Sequence, residues 1–369
     1  MKSARSTTHH KPDYTLLAIV FLLTVAGLAI LASASSDLGK TQFNNTYYYL
    51  EHQLEFGLSL GLLGFVVGYF WYYQHWKKVA LPLLLASIVA LSLVFTRFGI
   101  VLNGTNRWLR LGPISFQPAE LVKLVYLIYL AAFFSSAKLK HESDGWKAFV
   151  PFAVVSVVIA GLLVAQPATS TVMILLASGA VVYLMSGGKL RYLAAAGALG
   201  VLVLAILIYV TPYRLARITG FLHQSANTQG TNYQVNQALI AIGSGGLTGV
   251  GYGQSATKSG YLPAAIDDSI FAIVGEEFGF IGAGALAVLF AFFGVRLLWL
   301  AARTSDRFGK LLLVGFGTVI PLQAFVNMAA ISGVIPLTGV PLPFISYGGT
   351  ALAVFLTMSG IAANVTRYN

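Results

Sequence analysis

The sequence predicts an all-α, polytopic integral membrane protein with ten transmembrane helices and a large extracytoplasmic loop between helices 7 and 8. Three observations lead there. Of its 369 residues, 57% are hydrophobic and the mean hydropathy is +0.77, more apolar surface than a soluble globule of that size can cover. Charged residues make up only 9% of the chain. Apolar runs of about 20 residues, the length that crosses a hydrocarbon core of roughly 30 Å, recur from one end to the other.

In order, the runs are 15–34, 53–73, 79–96, 117–136, 149–165, 171–186, 192–210, 269–300, 309–333 and 346–365. The first follows a basic tail, 1–14, holding Lys2, Arg5 and Lys11, and it is too long for a secretory leader, so it reads as an uncleaved helix. With that tail inside, the inner segments collect about twice as many lysines and arginines as the outer ones. The outer ones hold Lys40, Arg97, Arg107, Arg110, Arg214, Arg217 and Lys258. This asymmetry puts both termini in the cytoplasm. It leaves two long, motif-bearing segments outside, 97–116 and 211–268, so the outer face is the expected active face.

No repeat, linker or soluble module interrupts the pattern, and 1–369 reads as a single domain. The formal charge of +11 is scattered between apolar runs, which fits membrane topology and argues against nucleic acid. With no cysteine in the chain, disulfides and thiolate metal sites are excluded. Its histidines, His9, His10, His52, His75, His141 and His223, have no metal-ligand spacing.

The densest chemistry lies in Gly243 to Gly282. Asp267 and Asp268 stand directly before the eighth apolar run, and adjacent carboxylates at a membrane boundary are costly to place there without a use. The preceding glycines, from Gly243 to Gly253, lack the spacing of a nucleotide loop and read as flexible re-entrant backbone. Glu120 and Lys123, three residues apart, share one helix face. They are either a structural ion pair or a polar patch lining a water-filled cavity, and the same question attaches to Glu276 and Glu277. Arg107 and Arg110 flank Trp108 on the outer side, where guanidinium groups suit phosphates. In the uncharged loop Pro336 to Gly349, backbone N–H groups from Ser346 to Gly349 offer an anion site.

Read together, several motifs resemble the SEDS (shape, elongation, division and sporulation) family, nearer its FtsW branch than its RodA branch. They are Ser33-Ala34-Ser35, Asn106-Arg107-Trp108, Gln117-Pro118-Ala119-Glu120, Gln166-Pro167, Tyr233-Gln234, the segment Gly251 to Gly282, and Pro341 to Gly349. The resemblance implies a peptidoglycan glycosyltransferase of the bacterial cytoplasmic membrane that polymerises lipid II with a class B penicillin-binding protein and other division proteins. The family's essential aspartate falls on Asp268, the implied general base. Arg107, Lys258 and Arg110 are then expected at the pyrophosphate, with Glu120, Lys123, Glu277 and Ser346 lining the substrate site. Asp267 and Asp268 leave room for a divalent cation, Mg or Mn, and no organic cofactor is implied. The alternatives are the same polymerase acting in elongation, a lipid II flippase or transporter using Glu120, Lys123 and Glu277 as a polar path, and a division scaffold, which leaves the buried ionisable groups unexplained. Two departures stand out: many relatives have His-Thr-Asp-Phe where this chain has Ile266-Asp267-Asp268-Ser269, and an aspartate where it has Ala168.

Overall fold

A computed structural model describes residues 11–102, 105–111, 114–136, 145–222, 232–258 and 260–368. Most of the expected tail, Lys138, Lys140, Asn103, Gly112 and the histidines at 9, 10, 141 and 223 lie outside the described residues.

The chain opens with α1 (Tyr14–Ala34), started by Asp13, whose carboxylate caps Leu16 N at 2.7 Å. Two short helices, α2 (Ser36–Phe43) and α3 (Tyr48–His52), lead through a π turn, Gln53–Leu58, into α4 (Ser59–Phe70). Next come α5 (Gln74–Leu93) and a small antiparallel sheet, β1 (Gly99–Leu102), β2 (Thr105–Leu111) and β3 (Ile114–Phe116), paired in that order. Helices α6 (Pro118–Phe134), α7 (Gly145–Ala165), α8 (Thr169–Met185) and α9 (Leu190–Val210) follow. The long segment after α9 contains α10 (Pro212–Leu222) and α11 (Tyr233–Ser244). The chain ends with α12 (Ile270–Arg303), α13 (Arg307–Ile331) and α14 (Gly349–Tyr368).

Among the described residues, eight helices are long and apolar enough to cross a membrane. The expected fourth and sixth spans are the 17-residue helices α6 and α8. Two features refine the expected architecture, and the first departs from an all-helical chain. Segment 97–116 contains a three-stranded antiparallel sheet, β1 to β3, in place of an irregular loop. The segment 211–268, expected as a large outer loop, contains α10 and α11, and α11 packs its Ala238 and Ala241 into the protein against α12.

Two packing features position the rest. Helix α4 presents Gly61, Gly64 and Gly68 to α14, and a Cβ at Gly68 would sit 2.8 Å from Ile361 N, so only glycine permits this approach. Helix α12, although 34 residues long, is broken at Gly279, whose φ of 63° and ψ of −165° are open to glycine alone. The glycine-rich run fills that break. Val250 N donates to Glu276 O (3.0 Å) and Gly251 N to Glu277 O (3.1 Å), while Phe280 N and Ile281 N donate to Gly246 O and Leu247 O (2.9 and 3.1 Å). The run expected to be flexible is therefore hydrogen-bonded into a helix, with left-handed φ at Gly246, Gly249, Gly251 and Gly253 making the path possible.

Candidate functional site

Helices α4, α6 and α14, the sheet and the segment before α12 enclose a cavity of about 1090 Å³. Its deep part is apolar, lined by Leu60 to Val67 on α4, Leu121 to Ile128 on α6 and Thr350 to Thr357 on α14, with Trp76 and Leu83 of α5. Each of the first three stretches covers eight residues, about 10 Å of helix axis. Its mouth is polar and aromatic: Gln42, Tyr49, His52, Trp108, Lys258, Asp267 and Tyr347.

Asp267 and Asp268 occupy the turn that feeds α12, held from both flanks. Ser346 Oγ donates to Asp267 O at 2.5 Å, Tyr347 N to Ile266 O at 2.8 Å, and Asn327 Nδ2 to Asp268 O at 2.7 Å. The two carboxylates have different neighbours. Asp267 lines the cavity, and burial, reinforced by the Asp268 charge, pushes its carboxyl up to about 7. Asp268 accepts a hydrogen bond from Gln234 Nε2 at 3.0 Å. Burial raises it to about 6 against the lowering pull of Gln234 and of the Arg217 guanidinium. Asp268 Oδ2 and both terminal nitrogens of Arg217 lie 3.7 and 4.0 Å from where a Cβ on Gly339 would stand. A side chain at 339 would press into the space between them.

Arg217 was not among the residues singled out from the sequence. It sits on the amphipathic α10 with Nη1 donating to Leu337 O at 3.0 Å, and it meets an aspartate that is remote in sequence, so no local spacing announces the pair. Gln234, on α11, was likewise seen only as part of a motif; its amide joins Asp268 to Ser269 Oγ, 2.9 Å away.

Lys258 lines the cavity but is no free cation of an outer loop. It is 8% exposed, 3.6 Å from Glu277 Oε1, and its ammonium donates to Gly253 O at 2.7 Å and to Ser33 Oγ at 3.4 Å. Its carboxylate partner comes from α12, remote from Lys258 in sequence. Glu277 also accepts from Ser33 Oγ at 2.5 Å. Glu276 takes the other direction, accepting from Ala256 N at 2.9 Å and from the hydroxyls of Ser255 and Thr257.

Glu120 and Lys123 form a closed pair 2.7 Å apart, each 2% exposed, with Lys123 Nζ donating to Gln323 Oε1 at 2.5 Å and standing 5.1 Å from the Phe355 ring centre. Neither lines the cavity. Of the two readings of this pair, its closed geometry inside the helix packing favours the structural ion pair, and neither residue reaches this cavity.

Ser346 is also corrected. The amides of Ser346, Tyr347 and Gly348, three of the four expected to offer an anion site, are already bonded to Leu342 O, Ile266 O and Gln53 Oε1 and form a clamp. Arg107 donates from Nε to Gln166 O (2.8 Å) and from Nη2 to Pro167 O (2.6 Å), which pins the sheet to the α7–α8 turn. Arg110 is exposed on β2, opposite Ser115. Among the described residues no three acidic or histidine side chains gather round a point that suits a metal ion.

A family model described as cell cycle protein (FtsW/RodA/SpoVE) matches residues 14–369. A "Probable peptidoglycan glycosyltransferase FtsW" from Saccharophagus degradans is 36% identical over 361 residues, covering 97% of this chain and 92% of that protein. "Stage V sporulation protein E" from Bacillus subtilis is 32% identical over 368 residues and is covered to 99%, as is this chain. Among solved structures, one described as "Structural coordination of polymerization and crosslinking by a peptidoglycan synthase complex" aligns with a TM-score of 0.79 at 28% identity, over 96% of this chain and 98% of that one. The rod shape determining protein RodA of Thermus thermophilus aligns with a TM-score of 0.71 at 28% identity, over 97% and 98%.

Proposed function

The chain belongs to the FtsW/RodA/SpoVE family of cell cycle proteins, and from that premise we propose that it is a multi-pass membrane peptidoglycan glycosyltransferase that polymerises lipid II in cell division. In this reading the whole chain, 1–369, works as one ten-helix domain, with the tail 1–14 and the C-terminus in the cytoplasm and the cavity mouth outside. A class B penicillin-binding protein is its partner, supported by the likeness to a synthase complex, and other division proteins join them. The relatives that carry the FtsW name support division over elongation.

The observation that carries the reading is the Asp267–Asp268 step: one carboxylate opens on a cavity with an apolar depth, and the next is held beside an arginine. The apolar depth takes the polyprenyl tail. Asp268, raised to about 6 by burial, is a carboxylate at neutral pH yet basic enough to accept a proton. It takes the proton from the acceptor 4-hydroxyl as that oxygen bonds to the donor's anomeric carbon. The bond from that carbon to the pyrophosphate breaks, polyprenyl pyrophosphate leaves, and the anomeric centre inverts. Lys258 at the mouth and Arg217 beside Asp268 meet the charge that develops on the leaving group. Arg107 and Arg110 act on the pyrophosphate from the sheet, Arg107 chiefly by fixing its position. Glu277 holds Lys258, Ser346 fixes the aspartate turn, and Glu120 with Lys123 fix α6. A divalent cation, Mg or Mn, fits only as a partner of substrate phosphate oxygens at Asp267, and no step here depends on it.

Purified protein, with and without its transpeptidase partner, is given labelled lipid II and the glycan product is sized. Asp268→Asn, which keeps volume and removes the base, is expected to abolish polymer while the protein still inserts and folds; Asp267→Asn is expected to be milder. A reversed order would move the base to Asp267.

A further inference from the structure

The cavity mouth carries groups that the reaction leaves unused. Tyr347 is fixed at both ends: its amide donates to Ile266 O, and its hydroxyl meets His52 Nδ1 at 2.9 Å. Tyr49 stands edge-on to it, with ring centres 5.2 Å apart at 87°, and donates its hydroxyl to Gln42 Oε1 at 2.7 Å. The π turn that follows His52 is held open by Gln53, whose side-chain oxygen takes Gly348 N at 3.1 Å. Interfacial aromatic residues usually anchor a membrane protein by facing lipid. These instead line a cavity, and Asp267 faces it with them.

A polyprenyl tail has no use for an imidazole and a carboxylate. A pyrophosphate finds its cation across the mouth at Lys258 and has no use for aromatic ring faces. What fits two rigid rings, an imidazole and a carboxylate is a neutral pyranose: its C–H face carries partial positive charge that suits the negative face of an aromatic ring, and its hydroxyl and amide protons suit the carboxylate. We propose that Tyr49, His52, Asp267 and Tyr347 form a subsite for an N-acetylhexosamine ring of the lipid-linked substrate. This rests on the glycosyltransferase reading above and adds where the sugar is held, with Tyr347 positioning His52.

The test compares two probes bound to the full-length protein in nanodiscs: polyprenyl pyrophosphate, and the same lipid carrying its disaccharide. Tyr49→Leu and His52→Ala are expected to weaken binding of the disaccharide lipid about tenfold or more, while polyprenyl pyrophosphate changes less than about twofold. Tyr347→Phe keeps the ring and its packing but releases the imidazole, and is expected to give the same selective loss even where His52→Ala fails to fold. Equal losses for both probes, or no loss with any variant, overturn the subsite. Polymerisation is read separately on wild-type protein: selective sugar binding without glycan product would sink the polymerase reading and leave the subsite standing.

Discussion

Glu120–Lys123 and Lys258–Glu277 use the same two side-chain types, both withdrawn from water, yet they are built in opposite ways. The first is local, three residues apart on one helix, closed at 2.7 Å and completed by Gln323. The second joins a loop to the broken α12, stays open at 3.6 Å, and shares its lysine with Ser33 and Gly253 at the rim of the cavity. Burial of a charge pair therefore says little about function. What separates a staple from a working cation is how tightly the pair closes and what it borders.

The largest expected effect breaks the staple. Lys123→Met leaves Glu120 buried without its cation and is expected to cost about 3–5 kcal/mol, with the double change Glu120→Gln plus Lys123→Met recovering most of it. Because the pair lies off the cavity, the double variant is expected to be stable and active. Thermal melts and lipid II polymerisation on the two singles and the double check this, and a stable but inactive double variant would return the pair to the site.

Lys258→Met should separate the two pairs further. Glu277 keeps its hydrogen bond from Ser33, so the loss of stability should be smaller, on the order of 1–3 kcal/mol, while polymerisation falls about ten- to a hundredfold. Full activity with lowered stability would make Lys258 a second staple and erase the contrast.

The subtlest test lies at Asp267, a carboxyl set beside another aspartate. Its folded pKa is raised to about 7, so between its ordinary value and 7 the folded protein binds a proton that the unfolded chain has released. Stability contributed by that proton is complete below the ordinary value and is lost as pH rises through 7. Asn cannot titrate, so the melting temperature of Asp267→Asn should gain on the wild type between pH 5 and pH 8, by a few degrees at most. Melts at both pH values decide it, and a constant gap would place the carboxyl in water.

Much of the scaffold was legible because a span announces itself through some 20 successive apolar residues, whatever packs beside it. Asp268 was legible too, as a charge at a boundary where charges are expensive. The pairings were not. Lys258 meets Ser33 across 225 residues, and Arg217 and Asp268 come together at Gly339 from segments remote in sequence, and neither distance has a period in the sequence. The hairpin at 99–111 had a signal in Asn103-Gly104, which a search for helical runs passes over. The open state of the glycine run was misjudged for a related reason: glycine lowers the cost of motion and of close backbone contact alike, and only the neighbouring helix decides which is used.

That graft of loop onto helix at Gly279 has a consequence in exchange with solvent. The amides of Val250, Gly251, Phe280 and Ile281 are each bonded across the seam, so none can open without disturbing the other segment. In heavy water they should exchange together, as one cooperative unit, although they belong to a glycine-rich loop and to the interior of a helix. Gly279→Ala, which strains the left-handed residue at the seam, should speed all four to a similar degree and leave the amides of Leu286 to Leu297 as slow as before.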